Sequence, residues 1–288
     1  MKIKKQIEKI MNLFFLACAS VAILATALIT IYLVMAGLPA IKEIGLVPFI
    51  TGTVWKSTAK PAQFGILPFI LTSVYGTLGA VLLGVPVGLG TAIFLSKIAP
   101  KRVASTLRPA VDLLAGIPSV VYGLVGMMVL VPAIAKVFGL GNGAGLFAAI
   151  LVLAVMILPG IVSVAQTALD AVPREYEQAS LALGATQAET VFRVSVPAAK
   201  SGIATGVVLG IGRAVGEAMA VMMVAGNVAN MPSLFKSVTF LTTAVSKEMS
   251  YASGLQKDAL FSIALVLFLF ILAINLVLGF VLKRSKKG

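Results

Sequence analysis

Long apolar stretches alternate with short polar ones along almost the whole chain. An α-helix needs about 20 apolar residues to cross the hydrocarbon core of a bilayer, and six stretches reach that length. The pattern therefore predicts an all-α, polytopic membrane protein with six transmembrane helices. The predicted spans are residues 11–35, 68–95, 109–138, 145–169, 201–226 and 258–282.

The start of the chain also resembles a secretory signal peptide, because lysines precede an apolar run. That run continues to Met35, which is longer than the apolar region of a signal peptide, so we expect an uncleaved span. We divide the chain into three parts. Residues 1–67 form an N-terminal tail, the first span and an outer loop; residues 68–282 form a membrane domain with a polar loop at 171–201; residues 283–288 form a short tail.

The distribution of basic residues predicts the orientation in the membrane. The net charge is +13, although only 11% of the residues are charged and the mean hydropathy is +1.07. Fifteen lysines and arginines fall on the side that holds both termini, and five fall in the loops of the other side. Cytoplasmic loops carry such an excess. We therefore expect a multi-pass protein of the cell (inner) membrane with both termini in the cytoplasm. We attribute its positive net charge to this orientation in the lipid bilayer and not to a nucleic-acid partner.

Several kinds of chemistry are missing from the composition. The chain has no histidine and one cysteine, Cys18, so we expect no disulfide, no metal site and no Cys/His nucleophile. The glycines at Gly84, Gly88 and Gly90 do not form a nucleotide-binding loop, since the lysine and hydroxyl residue of that motif are absent. Small residues in spans usually allow close helix packing. We expect no cofactor and no ATPase site, so that any ATP-driven step belongs to a partner.

Two charged residues, Arg213 and Glu217, lie inside the predicted fifth span. Each would cost roughly 2.5–3.5 kcal/mol on insertion, and a spacing of four residues places both on one helix face, where they can pair. Gly206 and Gly210 leave room nearby for a helix or for a solute. The planar fork of an arginine suits an oxyanion. The pair is therefore either part of a substrate pathway or a purely structural ion pair.

The polar loop 171–201 interrupts the apolar pattern with an ordered sequence of its own. We expect a first helix after Pro173, a left-handed residue at Gly184 that ends it, and a second helix over about 187–194 that Pro197 stops. A helix, a turn and a helix on one side of a membrane form a knob that suits docking to a soluble partner. The alternative is an ordinary connecting loop.

The opposite side of the membrane is predicted to carry two longer segments. The first contains the single tryptophan, Trp55, which we expect at the membrane interface. The second, residues 227–257, has apolar residues near helical spacing. It predicts an amphipathic helix on the outer surface, or alternatively a segment packed over the bundle.

The polar loop resembles the cytoplasmic signature of binding-protein-dependent ABC importer permeases. That signature reads Glu-Ala-Ala, three residues, Gly, nine residues, Ile-x-Leu-Pro. The glutamate of the signature is replaced here, and an acidic residue stands one place earlier. The matching positions of this chain are Glu177, Gln178, Ala179, Ser180, Gly184, Val194, Val196 and Pro197.

Three further segments are similar to the phosphate-permease (PstC) branch of this family: residues 64–73, 115–126 and 212–227. The resemblance implies a type I importer (MetI-like) fold and a path for phosphate that includes Arg213 and Glu217. It also implies a heterodimer with the sister permease PstA, two copies of the ATPase PstB that contact the polar loop, and the phosphate-binding protein PstS. The alternatives are a permease for molybdate or sulfate, an ion-coupled secondary transporter, and an integral membrane enzyme.

Overall fold

The computed structural model describes the backbone of residues 2–285 and the side-chain surroundings of residues 7–280. Most of the described backbone is helical, which confirms the predicted all-α class. Within the described residues, five helices are long and apolar enough to cross a membrane, and a sixth span is reached if one bent pair of helices counts as one. The end of the predicted tail, residues 286–288, lies outside the described residues.

The first and last helices pack against each other at the edge of the bundle. Helix α1 covers Lys2–Ile44 and helix α14 covers Gly254–Ser285. They touch where the Ser262 hydroxyl donates to the Gly37 carbonyl at 2.6 Å. A Cβ on Gly37 would lie only 3.1 Å from the backbone of Ser262, so the two helices approach closely there.

Two long helices form the centre of the bundle. Helix α3 covers Leu67–Ile93 and continues as a π-helical turn at Phe94–Ile98, and helix α7 covers Leu146–Asp170. A Cβ on Gly84 of α3 would lie 2.7 Å from Ile157 of α7. The close packing expected of this glycine is therefore present, and it brings the two helices together along their length.

A short irregular region follows α1 and closes one end of the bundle. It holds helix α2 (Leu46–Thr51) and two paired antiparallel strands, β1 (Trp55–Lys56) and β2 (Gln63–Phe64). Trp55 is buried against Phe64 and Phe69. The ring thus packs in the core of this capping region, and its placement at the membrane interface stays a prediction.

The prediction of an amphipathic surface helix over residues 227–257 is wrong in extent and in position. Only α13, Leu241–Glu248, is helical in the middle of this segment. Its first turn is buried, so the helix inserts into the bundle. The alternative of packing over the bundle describes it better.

The predicted third span, 109–138, is interrupted. Helix α4 covers Lys101–Gly116, the chain is extended at Ile117 and Pro118, and a new helical run begins at Ser119. That run, Ser119–Phe138, is the membrane-length segment. It consists of α5 (Ser119–Val125), a π-helical turn (Gly126–Leu130) and α6 (Val131–Phe138).

The polar loop and the predicted fifth span form one chain of short helices. The loop contains α8 (Arg174–Ala182), α9 (Gln187–Thr190), a π-helical turn (Val191–Ser195) and α10 (Val196–Ala198). The span consists of α11 (Lys200–Gly216) and α12 (Met219–Val224). Gln187–Ala198 and Lys200–Gly216 meet at 71°. Pro197 does not stop its helix as expected, because it occupies the first turn of α10, where the missing N–H costs little.

Candidate functional site

The fifth span breaks at Glu217, next to the two charges that the sequence singles out. Helix α11 ends at Gly216, Glu217 is extended (φ −72°, ψ 127°), and α12 begins at Met219. The described residues contain no ion pair between Arg213 and Glu217. The expected pairing is therefore wrong, because it requires a continuous helix between the two residues.

Glu217 has a different task at this break. Its carboxylate oxygen Oε1 accepts a hydrogen bond from the backbone N–H of Ala220 at 2.9 Å. The first N–H groups of a helix have no partner within the helix, and an acidic side chain is well suited to accept from them. Glu217 thus starts α12.

Arg213 is left half-buried at the end of α11. Its guanidinium makes no hydrogen bond or ion pair with the protein within the described part of the chain. An unpaired guanidinium at a helix break in a membrane protein can offer its donors to an anion.

Gly206 and Gly210 pack against α7 and leave no room for a solute at those two positions. A Cβ on Gly210 would lie 2.9 Å from Ile161 of α7, and one on Gly206 would lie 3.3 Å from Val164. Of the two alternatives left open by the sequence, a neighbouring helix or a solute, the structure shows the helix.

A second helix break lies beside the first. Between α4 and α5 the chain is extended at Ile117, and the Tyr122 hydroxyl donates to the Leu114 carbonyl across the gap at 2.7 Å. A Cβ on Gly123 would lie 2.8 Å from the Cα of Ala220, so α5 and α12 are in backbone contact. Non-helical backbone at membrane depth occurs where it is buried in protein or lines a cavity. Two adjacent breaks therefore mark this region as a candidate pathway.

The polar loop has the turn that the sequence predicts. Gly184 has a left-handed backbone (φ +88°), and no atom lies within 4 Å of the place where its Cβ would be. The N–H of Gly184 bonds to the Leu181 carbonyl and the N–H of Ala185 to the Ser180 carbonyl. This is the hydrogen-bond pattern of a Schellman motif, which requires a left-handed residue.

Glu177 ties the polar loop to the bundle. Its Oε1 atom lies 2.6 Å from Lys97 Nζ at the end of α3 and accepts from the Ser195 hydroxyl at 2.8 Å. Partial burial acts to raise the pKa of Glu177, but Lys97, Ser195 and Arg174 outweigh it and hold the pKa below its ordinary value. The carboxylate is therefore ionised at neutral pH and keeps α8 against α3.

Three further positions of the loop signature face outward, whereas Ser180, Val194 and Val196 are part-buried. Gln178, Ala179 and Pro197 are exposed, so they are free to contact another protein. Several large apolar side chains are exposed beside them, among them Leu183, which is 90% exposed. The others are Tyr176, Leu181 and Phe192.

Some residues of these networks were not found by sequence analysis. Arg108 pairs with Asp170 at 3.3 Å and donates to the Leu95 carbonyl. The break at Ile117 had a signal, because the following Pro118 disfavours helical backbone at the residue before it. No local pattern indicated that Lys97 contacts Glu177, because the two residues lie far apart in the sequence.

The ion pair between Lys97 and Glu177 predicts how the loop responds to charge reversal. Charge-assisted hydrogen bonds contribute roughly 1.5–3 kcal/mol. We expect Lys97→Glu or Glu177→Lys alone to speed amide exchange in α8 by about tenfold, which corresponds to about 1.4 kcal/mol. The double reversal should recover most of the protection.

Glu175→Lys is the matched control, because Glu175 is exposed on the same helix. Glu175 also lies in the first turn of α8, so its reversal reports the helix-dipole effect alone, about 0.3–1 kcal/mol, and should speed exchange much less than either single reversal of the pair. If the double reversal exchanges as fast as the single variants, the pair does not hold the loop.

Comparison with known proteins places the chain in a family. The sequence profile of "Binding-protein-dependent transport system inner membrane component" matches residues 84–287. The probable ABC transporter permease protein YqgH of Bacillus subtilis (strain 168) is 42% identical over 268 residues, which cover 90% of this chain and 87% of that protein. The phosphate transport system permease protein PstC of Pasteurella multocida (strain Pm70) is 37% identical over 75% of this chain and 74% of that protein. PstC of Haemophilus influenzae is also 37% identical, over 84% of this chain and 82% of that protein.

Solved structures agree on the fold. A bacterial ABC transporter that imports the acidic polysaccharide alginate matches with a TM-score of 0.65 at 14% identity, over 99% of each chain. The MetNI methionine ABC transporter matches with a TM-score of 0.62 at 19% identity, over 76% of this chain and 95% of that one. These matches confirm the type I importer permease fold that the loop signature implied. The chain belongs to the family of binding-protein-dependent transport system inner membrane components, the permeases of ABC importers.

Proposed function

We propose that this chain is the permease subunit of an ATP-driven importer and forms the membrane pathway for inorganic phosphate. The observation that carries this proposal is Arg213, a half-buried guanidinium with no protein partner among the described residues, at a break in a membrane helix. The family supports the importer, and relatives named as phosphate permeases support the substrate.

The geometry of the break suits a passing anion. The carboxylate of Glu217 is engaged by the N–H of Ala220, so it does not neutralise Arg213. Electrostatic attraction is much stronger in a low-dielectric interior than in water, and the planar guanidinium can donate to two phosphate oxygens at once. Arg213 contacts the phosphate as it passes, and Glu217 keeps the break in shape.

A partner supplies the energy, as is general for permeases of this family. The apolar side chains of the loop 171–201, Leu183 above all, fit the groove of a soluble ATPase, and the loop transmits ATP hydrolysis to the bundle through Glu177 and Lys97. Gln178 stands where the family signature has glutamate, and its exposed side chain contacts that partner. We assign the ATPase as PstB, the second permease as PstA and the external binding protein as PstS.

A reconstituted importer tests the substrate. Phosphate delivered by the binding protein should stimulate ATP hydrolysis by the assembled complex, whereas sulfate or molybdate should not. Stimulation by sulfate alone would show a permease for another oxyanion. Uptake that needs an ion gradient and no ATP would show a secondary transporter.

The orientation follows from the charge distribution. We expect residues 171–201 and both termini in the cytoplasm. On a Cys18-free background, a cysteine placed near Lys286 should react with a membrane-impermeant reagent only after the membrane is opened. Labelling of that cysteine in intact cells would contradict the orientation.

The left-handed turn of the loop predicts the effect of a β-branched residue. Gly184→Val should strain the backbone, because φ +88° is unfavourable for any residue with a branched Cβ. Because there is space for the side chain itself, the bundle should still fold and insert. We expect transport to fall about tenfold or more while the amount of membrane-inserted protein stays normal.

Gly184→Asn is the control, since asparagine tolerates the left-handed conformation. It should keep most of the transport. Normal ATPase assembly and transport in Gly184→Val would contradict the role of the turn.

The two residues at the break predict separable defects. Arg213→Lys keeps the charge and loses the planar fork, so phosphate uptake should fall about tenfold or more with normal assembly. Glu217→Gln keeps the oxygen that accepts from Ala220 and should assemble, whereas Glu217→Ala loses this cap at a cost of about 0.5–2 kcal/mol.

Arg102→Lys, at an exposed arginine of α4 outside the polar loop, is the control for the first comparison. It should transport normally. Unchanged uptake in Arg213→Lys would show that the fork does not handle the anion.

A further inference from the structure

Glu217 is held at a second point by another helix. Its backbone carbonyl accepts a hydrogen bond from the Thr242 hydroxyl of α13 at 2.9 Å. Thr242 is only 7% exposed, so water competes little for this bond. The carboxylate of Glu217 shapes α12, while its backbone is held in place by α13.

The start of α13 is fixed inside the bundle. The N–H of Leu241 donates to the Ser73 hydroxyl of α3 at 3.0 Å, and both residues are buried. Just before the helix, the N–H of Val238 donates to the Ala225 carbonyl at 2.8 Å, next to the end of α12. A displacement of α13 must therefore move the contact at Glu217 as well.

The other end of α13 belongs to the capping region. The Glu248 carboxylate accepts from Trp55 Nε1 at 3.1 Å, from the Ser57 hydroxyl at 3.3 Å and from Gln256 Nε2 at 3.0 Å. Eight residues of helix span about 12 Å. Helix α13 is thus a short rigid connector between the capping region and the break that carries Glu217.

We propose that Thr242 is a positioning residue that passes movements of the capping region to the break beside Arg213. A binding protein that docks on this end shifts α13, and the Thr242 hydroxyl shifts the extended Glu217 peptide with it. This inference rests on the proposed function, since it takes Arg213 as the residue that contacts the anion. Transmission of this kind requires that both sites act on one shared element, and α13 is that element.

The test compares three variants of the complete importer in proteoliposomes. Thr242→Val removes the hydroxyl and keeps the branched shape, Thr242→Ser keeps the hydroxyl, and Ser246→Ala removes a hydroxyl of the same helix that donates only to the Thr242 carbonyl. The measurements are the yield of assembled complex, the basal ATPase rate, and the stimulation of that rate by phosphate-loaded binding protein.

We expect Thr242→Val to assemble, to keep its basal ATPase rate, and to lose stimulation by about tenfold, within the usual range of coupling between two sites. Thr242→Ser and Ser246→Ala should be stimulated like the unmodified protein. Normal stimulation of Thr242→Val would overturn the inference. So would poor assembly of Thr242→Val alone, since the hydroxyl would then be structural, or an equal loss in Thr242→Ser.

The same experiment keeps the two proposals apart. If the unmodified complex responds to sulfate and not to phosphate, the phosphate assignment fails. The comparison of Thr242 variants then runs with sulfate, and its outcome still decides the role of Thr242.

Discussion

Backbone groups at a broken membrane helix must find partners inside the protein, and the rest of this structure is arranged around that constraint. Water is absent from the hydrocarbon region, so an unpaired N–H or C=O there is costly. At one break the Glu217 carboxylate accepts from Ala220 and the Glu217 carbonyl accepts from Thr242. At the other, the Tyr122 hydroxyl donates to Leu114. These contacts stabilise each break, and the Arg213 guanidinium has no protein partner among the described residues.

Helix α3 joins the two ends of the molecule. Near one end of α3, the Ser73 hydroxyl accepts a hydrogen bond from the N–H of Leu241 at the start of α13. Near the other end, Lys97 in the π-helical continuation of α3 forms an ion pair with Glu177 of the polar loop. The 24 positions between these residues correspond to about 36 Å of helix. Close contact with α7 through Gly84 supports α3 along this length. One well-packed element therefore contacts both the helix that holds the break and the loop that we propose as the docking site of the ATPase.

The sequence predicts the parts that depend on local pattern. Apolar length located the second, fourth and sixth spans to within a few residues, and the left-handed turn at Gly184 follows from its neighbours. The helix break at Glu217 was missed although Gly216 precedes it, because small residues within spans usually serve close helix packing. Burial of Trp55 and the pairing of Lys97 with Glu177 were missed because both depend on contacts between distant parts of the chain. The roles of Arg213 and Glu217 in transport stay predictions.

The exposed tip of the polar loop has a consequence for the subunit on its own. Leu183 is 90% exposed to water at the end of a well-formed turn, and burying such a side chain contributes about 1.5–3 kcal/mol. In the importer proposed above, the isolated subunit lacks this contribution and gains it on assembly with the ATPase. Its apparent stability then depends on the concentration of that partner by mass action. The thermodynamic unit of the proposed importer is the complex, and an excess of the single subunit is the form most open to aggregation and proteolysis.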